Sequence, residues 1–171
     1  MVKVSLIYAQ NEDGAIGLKG SHPMPWHFPE DMQRFAALTK GKAMVMGSST
    51  FDSLPRILPG RFHYVMTRSQ GLPRLGRLDQ VQFLNSLEQV FEKATLHAEE
   101  LFVIGGGDIL NQAMHWADTI YRTVVLNTPL RGRELAKVKK PGEDPIWKRF
   151  KLTDTQRIDD RLIFETYERI I

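Results

Sequence analysis

Short apolar runs that end in small or hydroxyl residues and then give way to helical periodicity constrain this chain more than any other feature. Val2 to Ala9 begins in alternation and fills with Val4, Leu6, Ile7 and Tyr8, the pattern of a strand buried on at least one face. Ala43-Met44-Val45-Met46-Gly47 leads into Ser48-Ser49-Thr50 and a short helical pattern over Thr50–Leu54. Leu101-Phe102-Val103-Ile104 leads into Gly105-Gly106-Gly107-Asp108 and a helical pattern carried by Ile109, Leu110, Ala113 and Met114. Between these lie a strand at Phe62–Met66, ending in Thr67-Arg68-Ser69, and a helix from Leu87 to about His97 behind the capping box Ser86-Leu87-Glu88-Gln89. Such alternation predicts an α/β fold with a mostly parallel central sheet covered by helices on both faces. Asp118–Leu126 is a further strand. Trp147–Thr155 and Arg161–Arg169 are joined by Ile158-Asp159-Asp160, too short for a helical crossover, so a C-terminal antiparallel hairpin is expected.

One carboxylate stands where an apolar side chain is expected. Pro29 suits the first turn of a helix, where its missing N–H costs nothing, and that helix runs to about Thr39. Residues three and four apart share a face, so Asp31 lies with Phe35, flanked by Met32 and Leu38. A carboxylate there is either a helix-start charge that happens to lie inward or a group held to bind or protonate something polar. Glu30 belongs on the wet side, as a complement to the helix dipole. From Asn11 to Met24 the strand pattern dissolves into Gly14, Gly17, Gly20, Ser21 and Pro23, with Ile16 as the one apolar anchor. A loop that long, leading into Trp26–Asp31, predicts a mobile flap over a site.

Two strand ends offer donors to an anion. Gly47 is followed by hydroxyl residues at a helix start. The glycines at 105–107 permit backbone geometries closed to other residues and precede a helix N-terminus suited to pyrophosphate, although a plain tight turn explains them equally well. Leu110 stands where the dinucleotide fingerprint has its third glycine, so a Rossmann assignment is not licensed.

With 171 residues, 42% of them hydrophobic, the chain can bury a core as one domain. It has no cysteine, which excludes disulfides and thiolate metal sites, and its five histidines show no i,i+4 pairing, so no metal is expected. No apolar run approaches a bilayer span and the N-terminus enters a strand at once, which predicts a cytoplasmic protein without membrane segments. The net charge of +3 is concentrated in Arg131, Arg133, Lys137, Lys139 and Lys140, against Glu134 alone. Such a run is usually a solvated loop. Steering of an anionic ligand and a nucleic-acid contact are the alternatives, and the lack of interleaved aromatics argues against stacking on single strands.

Ile16-Gly17, Met24-Pro25-Trp26, Phe28-Pro29-Glu30-Asp31, Met46-Gly47, Thr50-Phe51, Leu58-Pro59-Gly60-Arg61, Ile104-Gly105-Gly106-Gly107 and Tyr121-Arg122-Thr123 span nearly the whole chain. In this order and spacing they resemble the bacterial dihydrofolate reductases. The resemblance implies a dihydrofolate reductase-like fold over residues 1–171, with a small adenosine-binding subdomain at about 42–107, acting as a monomer. It implies reduction of 7,8-dihydrofolate to 5,6,7,8-tetrahydrofolate by hydride transfer from NADPH, in tetrahydrofolate biosynthesis and one-carbon metabolism. Dihydrofolate and antifolate inhibitors are then the partners, and nucleic acid is not.

The same resemblance assigns residues. Asp31 would hold the 2-amino group and N3 of the pterin, with Thr123 supporting that edge and Trp26 ordering a water beside the substrate. Ile7, Ala9, Met32, Phe35, Leu54 and Ile104 would wall the pterin and benzoyl rings, and Arg61 would clamp the α-carboxylate of the glutamate tail. The nicotinamide would lie beside Ala9, Ile16 and Gly17, and the pyrophosphate at Gly106, Gly107 and the Ser49–Thr50 helix start. Gly47, Ser48, Gly105 and Asp108 would complete that cradle, with the adenosine at Thr67 and Arg68. Many relatives carry basic residues at the positions of Ser48 and Ser49 and near Asp108, which leaves Arg68 the main candidate for the 2′-phosphate. Leu110 replaces a frequent tyrosine near the nicotinamide, and Arg131-Gly132-Arg133-Glu134-Leu135 replaces an acidic and aromatic segment. Two other readings stay open: a same-fold reductase of another pterin-like or pyrimidine substrate, and a binding protein that uses the basic loop for nucleic acid. Asp31 together with Arg61 favours dihydrofolate, because an unconjugated substrate needs no carboxylate clamp.

Overall fold

The computed structural model describes residues 1–18, 25–68, 80–131 and 134–171. Residues 19–24 of the expected flap, Ser69, and Gly132 with Arg133 lie outside the described residues. Along the described chain run β1 (Lys3–Asn11), β2 (Ala15–Leu18), α1 (Pro29–Thr39), β3 (Ala43–Gly47), α2 (Ser48–Ser53), β4 (Phe62–Met66) and β5 (Val81–Leu84). They are followed by α3 (Leu87–Thr95), β6 (Glu100–Gly105), α4 (Gly107–Ala113), β7 (Thr119–Val125), β8 (Leu135–Lys137), a 3-10 turn (Pro145–Arg149), β9 (Phe150–Arg157) and β10 (Leu162–Arg169).

Eight strands form one sheet in the order β5-β4-β3-β6-β1-β7-β10-β9. Neighbours from β5 to β7 are all parallel, and β10 runs antiparallel to both β7 and β9. This is the mostly parallel sheet with a C-terminal antiparallel hairpin that the sequence predicts. The central strand β1 is buried on both faces, which is why Val2–Ala9 fills with apolar residues instead of alternating strictly. On one face Val4, Leu6, Leu101 and Val103 pack with Leu87, Val90, Phe91 and Ala94 of α3 and with Leu110 and Ala113 of α4. On the other, Ile7, Met44, Met46 and Phe102 pack with Phe51 of α2 and with Phe35 and Leu38 of α1.

Several local expectations are corrected. α2 begins at Ser48 with Gly47 as its N-cap, so the hydroxyl residues sit inside the first turn and none caps it. Ser86 does cap α3, accepting from the Gln89 N–H at 3.2 Å, but Gln89 reaches back to the Asn85 N–H at 3.0 Å instead of to Ser86. Trp147 belongs to the 3-10 turn and not to β9, its indole N–H donating to the Lys139 carbonyl at 2.8 Å. Strand β5 was not anticipated.

The largest correction concerns the flap. β1 continues to Asn11, and Ala15–Leu18 is a strand paired antiparallel with Leu135–Lys137, so part of the expected flap and the middle of the basic loop form one ribbon. Neither segment alternates in polarity, so neither shows as a strand until its remote partner is in place. Part of the basic run closes this ribbon: Lys139 pairs with Asp144 at 3.1 Å and Lys140 donates to the Glu12 carbonyl at 2.8 Å. No described helix is long and apolar enough to cross a membrane.

Candidate active site

α1 starts behind Phe28, which has no side-chain oxygen to cap it, so Pro29 at the first turn and the acids Glu30 and Asp31 carry the start. Asp31 turns toward the sheet, its Oδ1 accepting from the Thr123 hydroxyl at 2.6 Å. Thr123 is buried, in register with Ala9 of β1 and Phe164 of β10. Burial pushes the Asp31 carboxyl above its ordinary value, while the Thr123 hydroxyl and the Arg34 guanidinium pull it down by less. Arg34 lies over the ring of Phe164, at 4.6 Å from the centroid, and beside Tyr121 at 5.5 Å. It also donates to Thr166 Oγ1 at 3.3 Å. Sequence reasoning missed this cation, although its i,i+3 spacing from Asp31 was the available signal.

Glu30, on the wet side as expected, does more than complement the helix dipole. Its carboxylate meets Arg161 at 3.4 Å, and Arg161 lies over the Phe28 ring and pairs with Asp159, so α1 is tied to the β9–β10 turn. Met32 also departs from expectation: it is 52% exposed, outside the packed inner face of α1. Ile7, Phe35, Leu54 and Ile104 do come together in one apolar cluster with Met44, Met46 and Phe51. Ala9 and Trp26 lie in the adjoining cluster with Phe28, Val125 and Phe164. The Trp26 indole nitrogen is buried and has no hydrogen-bond partner within the described chain.

Arg61 leaves the Leu58-Pro59-Gly60 turn and reaches α1. Its Nε donates to Thr39 Oγ1 at 3.3 Å, Nη1 to the Pro59 carbonyl and Nη2 to the Ala36 carbonyl, both at 2.7 Å. These bonds fix the plane of the guanidinium and leave an N–H on each terminal nitrogen for an acceptor.

At the C-terminal ends of the parallel strands β3 and β6 lie side by side, Met46 opposite Gly105, and deliver the starts of α2 and α4 to one place. Gly105 has φ +140° and its peptide to Gly106 is cis. A Cβ on Gly105 or Gly106 would stand 3.6 or 3.8 Å from Thr50 Oγ1, so the hydroxyl faces bare backbone. Gly107 has a separate reason to be glycine, since a Cβ there would meet the Lys137 carbonyl of β8 at 2.9 Å. Gly107→Ala is therefore expected to cost about 1–3 kcal/mol in thermal or urea unfolding, because a backbone group has to move; a variant as stable as the parent would show that β8 yields freely. Ser48, Ser49 and Asp108 are exposed at these two helix starts. Arg68 is exposed just beyond β4, where the Thr67 N–H donates to the Leu84 carbonyl at 3.0 Å. Ile16 packs on the core, and a Cβ on Gly17 would touch Pro25 at 3.7 Å, which sets β2 against the Pro25–Trp26 segment.

A family model described as dihydrofolate reductase matches residues 3–169 of this chain. The chain belongs to the dihydrofolate reductase family. It is similar to dihydrofolate reductase type 9 of Escherichia coli, with 35% identity over 134 residues covering 75% of this chain and 73% of that one. With the dihydrofolate reductase of Mycobacterium tuberculosis (strain ATCC 25618 / H37Rv) it shares 36% identity over 152 residues, 86% of each. A solved dihydrofolate reductase from Enterococcus faecalis, complexed with NADP(H) and RAB-propyl, superimposes with a TM-score of 0.79 over 98% of this chain and 96% of that one. At 24% identity that likeness speaks for the fold. As a dihydrofolate reductase the chain is an oxidoreductase of folate metabolism. Among the described residues of this dihydrofolate reductase no group of side chains could hold a metal ion.

Proposed function

We propose that the chain reduces 7,8-dihydrofolate with Asp31 holding the amidine-like edge of the pterin, a reading carried by the buried carboxylate bonded to Thr123 beside an apolar wall. A flat heterocycle laid against Ile7, Phe35, Leu54 and Ile104 presents its N–H donors to Asp31, and the low local dielectric strengthens that contact. Thr123 donates to Oδ1, which leaves Oδ2 and the remaining lone pairs for the substrate. Trp26 offers an unpartnered buried N–H, and such a donor takes a polar partner when one can enter. A water held there serves as the proton carrier to N5, which Asp31 does not reach from the far side of the ring. Arg61 binds the α-carboxylate of the glutamate tail through its remaining N–H groups. Antifolate inhibitors with a similar donor edge use the same carboxylate.

The cofactor is NADPH, which when bound supplies the hydride taken up at pterin C6. The residues present fit it: Gly105 and Gly106 leave backbone open opposite Thr50 Oγ1, and two helix starts converge on the same point. Ala9, Ile16 and Gly17 border the nicotinamide, and Gly47, Ser48, Ser49, Thr50 and Asp108 surround the pyrophosphate. Arg68, exposed just beyond β4, carries the recognition of the 2′-phosphate. Arg68→Ala is expected to weaken NADPH binding by about 1.5–3 kcal/mol and leave NADH nearly untouched. Equal losses for the two cofactors, measured by titration, would sink the assignment. The overall reading is tested by following NADPH oxidation with and without dihydrofolate; oxidation independent of dihydrofolate would overturn it.

A further inference from the structure

Behind the strands that carry the site lies a chain of buried polar side chains that the reaction does not use. On β1 and β7 alternate residues face opposite ways, so Ile7, Ala9 and Thr123 look toward the site while Tyr8, Gln10 and Arg122 look away. Gln10 is fully buried and Arg122 nearly so. Arg122 Nη1 meets Glu165 Oε1 at 2.5 Å, Tyr167 donates to the same oxygen at 3.2 Å, and Arg122 Nε donates to Gln10 Oε1 at 2.5 Å. From its other end Gln10 Nε2 donates to the Gly14 carbonyl at 3.1 Å and to the Val138 carbonyl at 3.0 Å. The Val138 N–H returns a bond to the Gly14 carbonyl at 3.0 Å.

We propose that Gln10 is a positioning residue for the β2–β8 ribbon, and that the buried Arg122–Glu165 pair acts through it to set where Ile16 and Gly17 stand beside the cofactor. A guanidinium has donors only, so the carboxamide must turn its oxygen to Arg122, and both of its N–H groups are thereby aimed at the two carbonyls. The flipped amide would set N–H against N–H inside the core. Glu165 binds the guanidinium and accepts from Tyr167, so the orientation of one buried amide rests on a chain of hydrogen bonds from β10 through Arg122. The carbonyls it grips belong to Gly14, one residue before β2, and to Val138, one residue after β8, so the grip closes the base of the ribbon. Asn11 braces the same turn locally, accepting from the Asp13 and Ala15 N–H groups, but it does not reach β8's end. The inference rests on the placement of the nicotinamide beside Ile16 and Gly17 given above.

Two variants of the whole protein test it. Gln10→Glu can still accept from Arg122 but can donate to neither carbonyl. Arg122→Lys keeps a cation beside Glu165 but loses the fixed Nε donor, and it serves alone if Gln10→Glu does not fold. Amide hydrogen exchange at 15–18 and 138 is expected to quicken roughly tenfold or more, the scale of one or two lost buried hydrogen bonds. KM for NADPH should rise about fivefold or more, with KM for dihydrofolate within about twofold of the parent. Exchange at the parent's rate overturns the inference, as do equal losses for both substrates. Faster exchange with an unchanged KM for NADPH instead overturns the placement of the nicotinamide on which it rests.

Discussion

Asp31→Asn should fold, bind NADPH as the parent does, and lose on the order of 10²-fold or more in turnover at neutral pH, the scale of acid–base assistance. Asn keeps the size of Asp31 and an oxygen for the Thr123 hydroxyl, so the pocket stays closed around it. What disappears is the charge proposed to hold the pterin edge and favour protonation at N5. The activity of the variant should then rise as pH falls, because acid supplies substrate already protonated at N5. The parent, whose carboxylate charge favours the proton on N5, should hold its activity to higher pH than the variant does. Hydride transfer followed from about pH 5 to about pH 9 decides it. A variant matching the parent at pH 7 would leave Asp31 as a helix-start charge that faces inward.

Stability should move the other way. The folded-state value of Asp31 lies above its unfolded value, so its contribution is fully favourable below the unfolded value and is lost as pH rises through the folded one. Asn never ionises and escapes that loss. Asp31→Asn should therefore melt at or above the parent at pH 7, with the difference closing as pH falls into the ordinary carboxylate range. Arg34 loses a nearby anion in the variant but keeps Thr166 and the Phe164 ring. A carboxylate serving only the helix start would give the opposite sign, since its removal would weaken α1.

Arg61→Lys should raise KM for dihydrofolate by roughly 30-fold, about 2 kcal/mol, while a pterin without the glutamate tail is used almost as before. Lysine keeps the charge but not the planar fork, and a flexible ammonium cannot hold Thr39, Pro59 and Ala36 while presenting two further donors. Those three bonds hold the guanidinium of the proposed clamp in one plane. If both substrates suffer alike, the role of Arg61 is to join α1 to the Pro59 turn.

Much of this architecture follows from local pattern. The filled runs of β1, β3 and β6 and the helix from Pro29 to Thr39 are read from neighbours a few residues apart, and the short link before β10 forces an antiparallel hairpin. The inward turn of Asp31 was visible for the same reason, since helical spacing alone sets it beside Phe35. Met32 shows where that logic ends: residues near the edge of a helical face are sorted into buried and exposed by what packs against them, and here nothing covers it fully.

Only the tertiary structure decided the rest, because the deciding partner is remote in sequence. β2 and β8 lack alternation and become strands by pairing with each other. Arg122 looked like one more polar residue in a familiar motif until β10 brought Glu165 across from it and β1 brought Gln10. The same holds for Arg34, a plausible surface cation until Phe164 and Tyr121 close over it. Periodicity reports which face of an element is apolar, whereas the pairing of a buried polar group is a property of three dimensions: such a group is stable only where distant segments supply every bond it gives up to water.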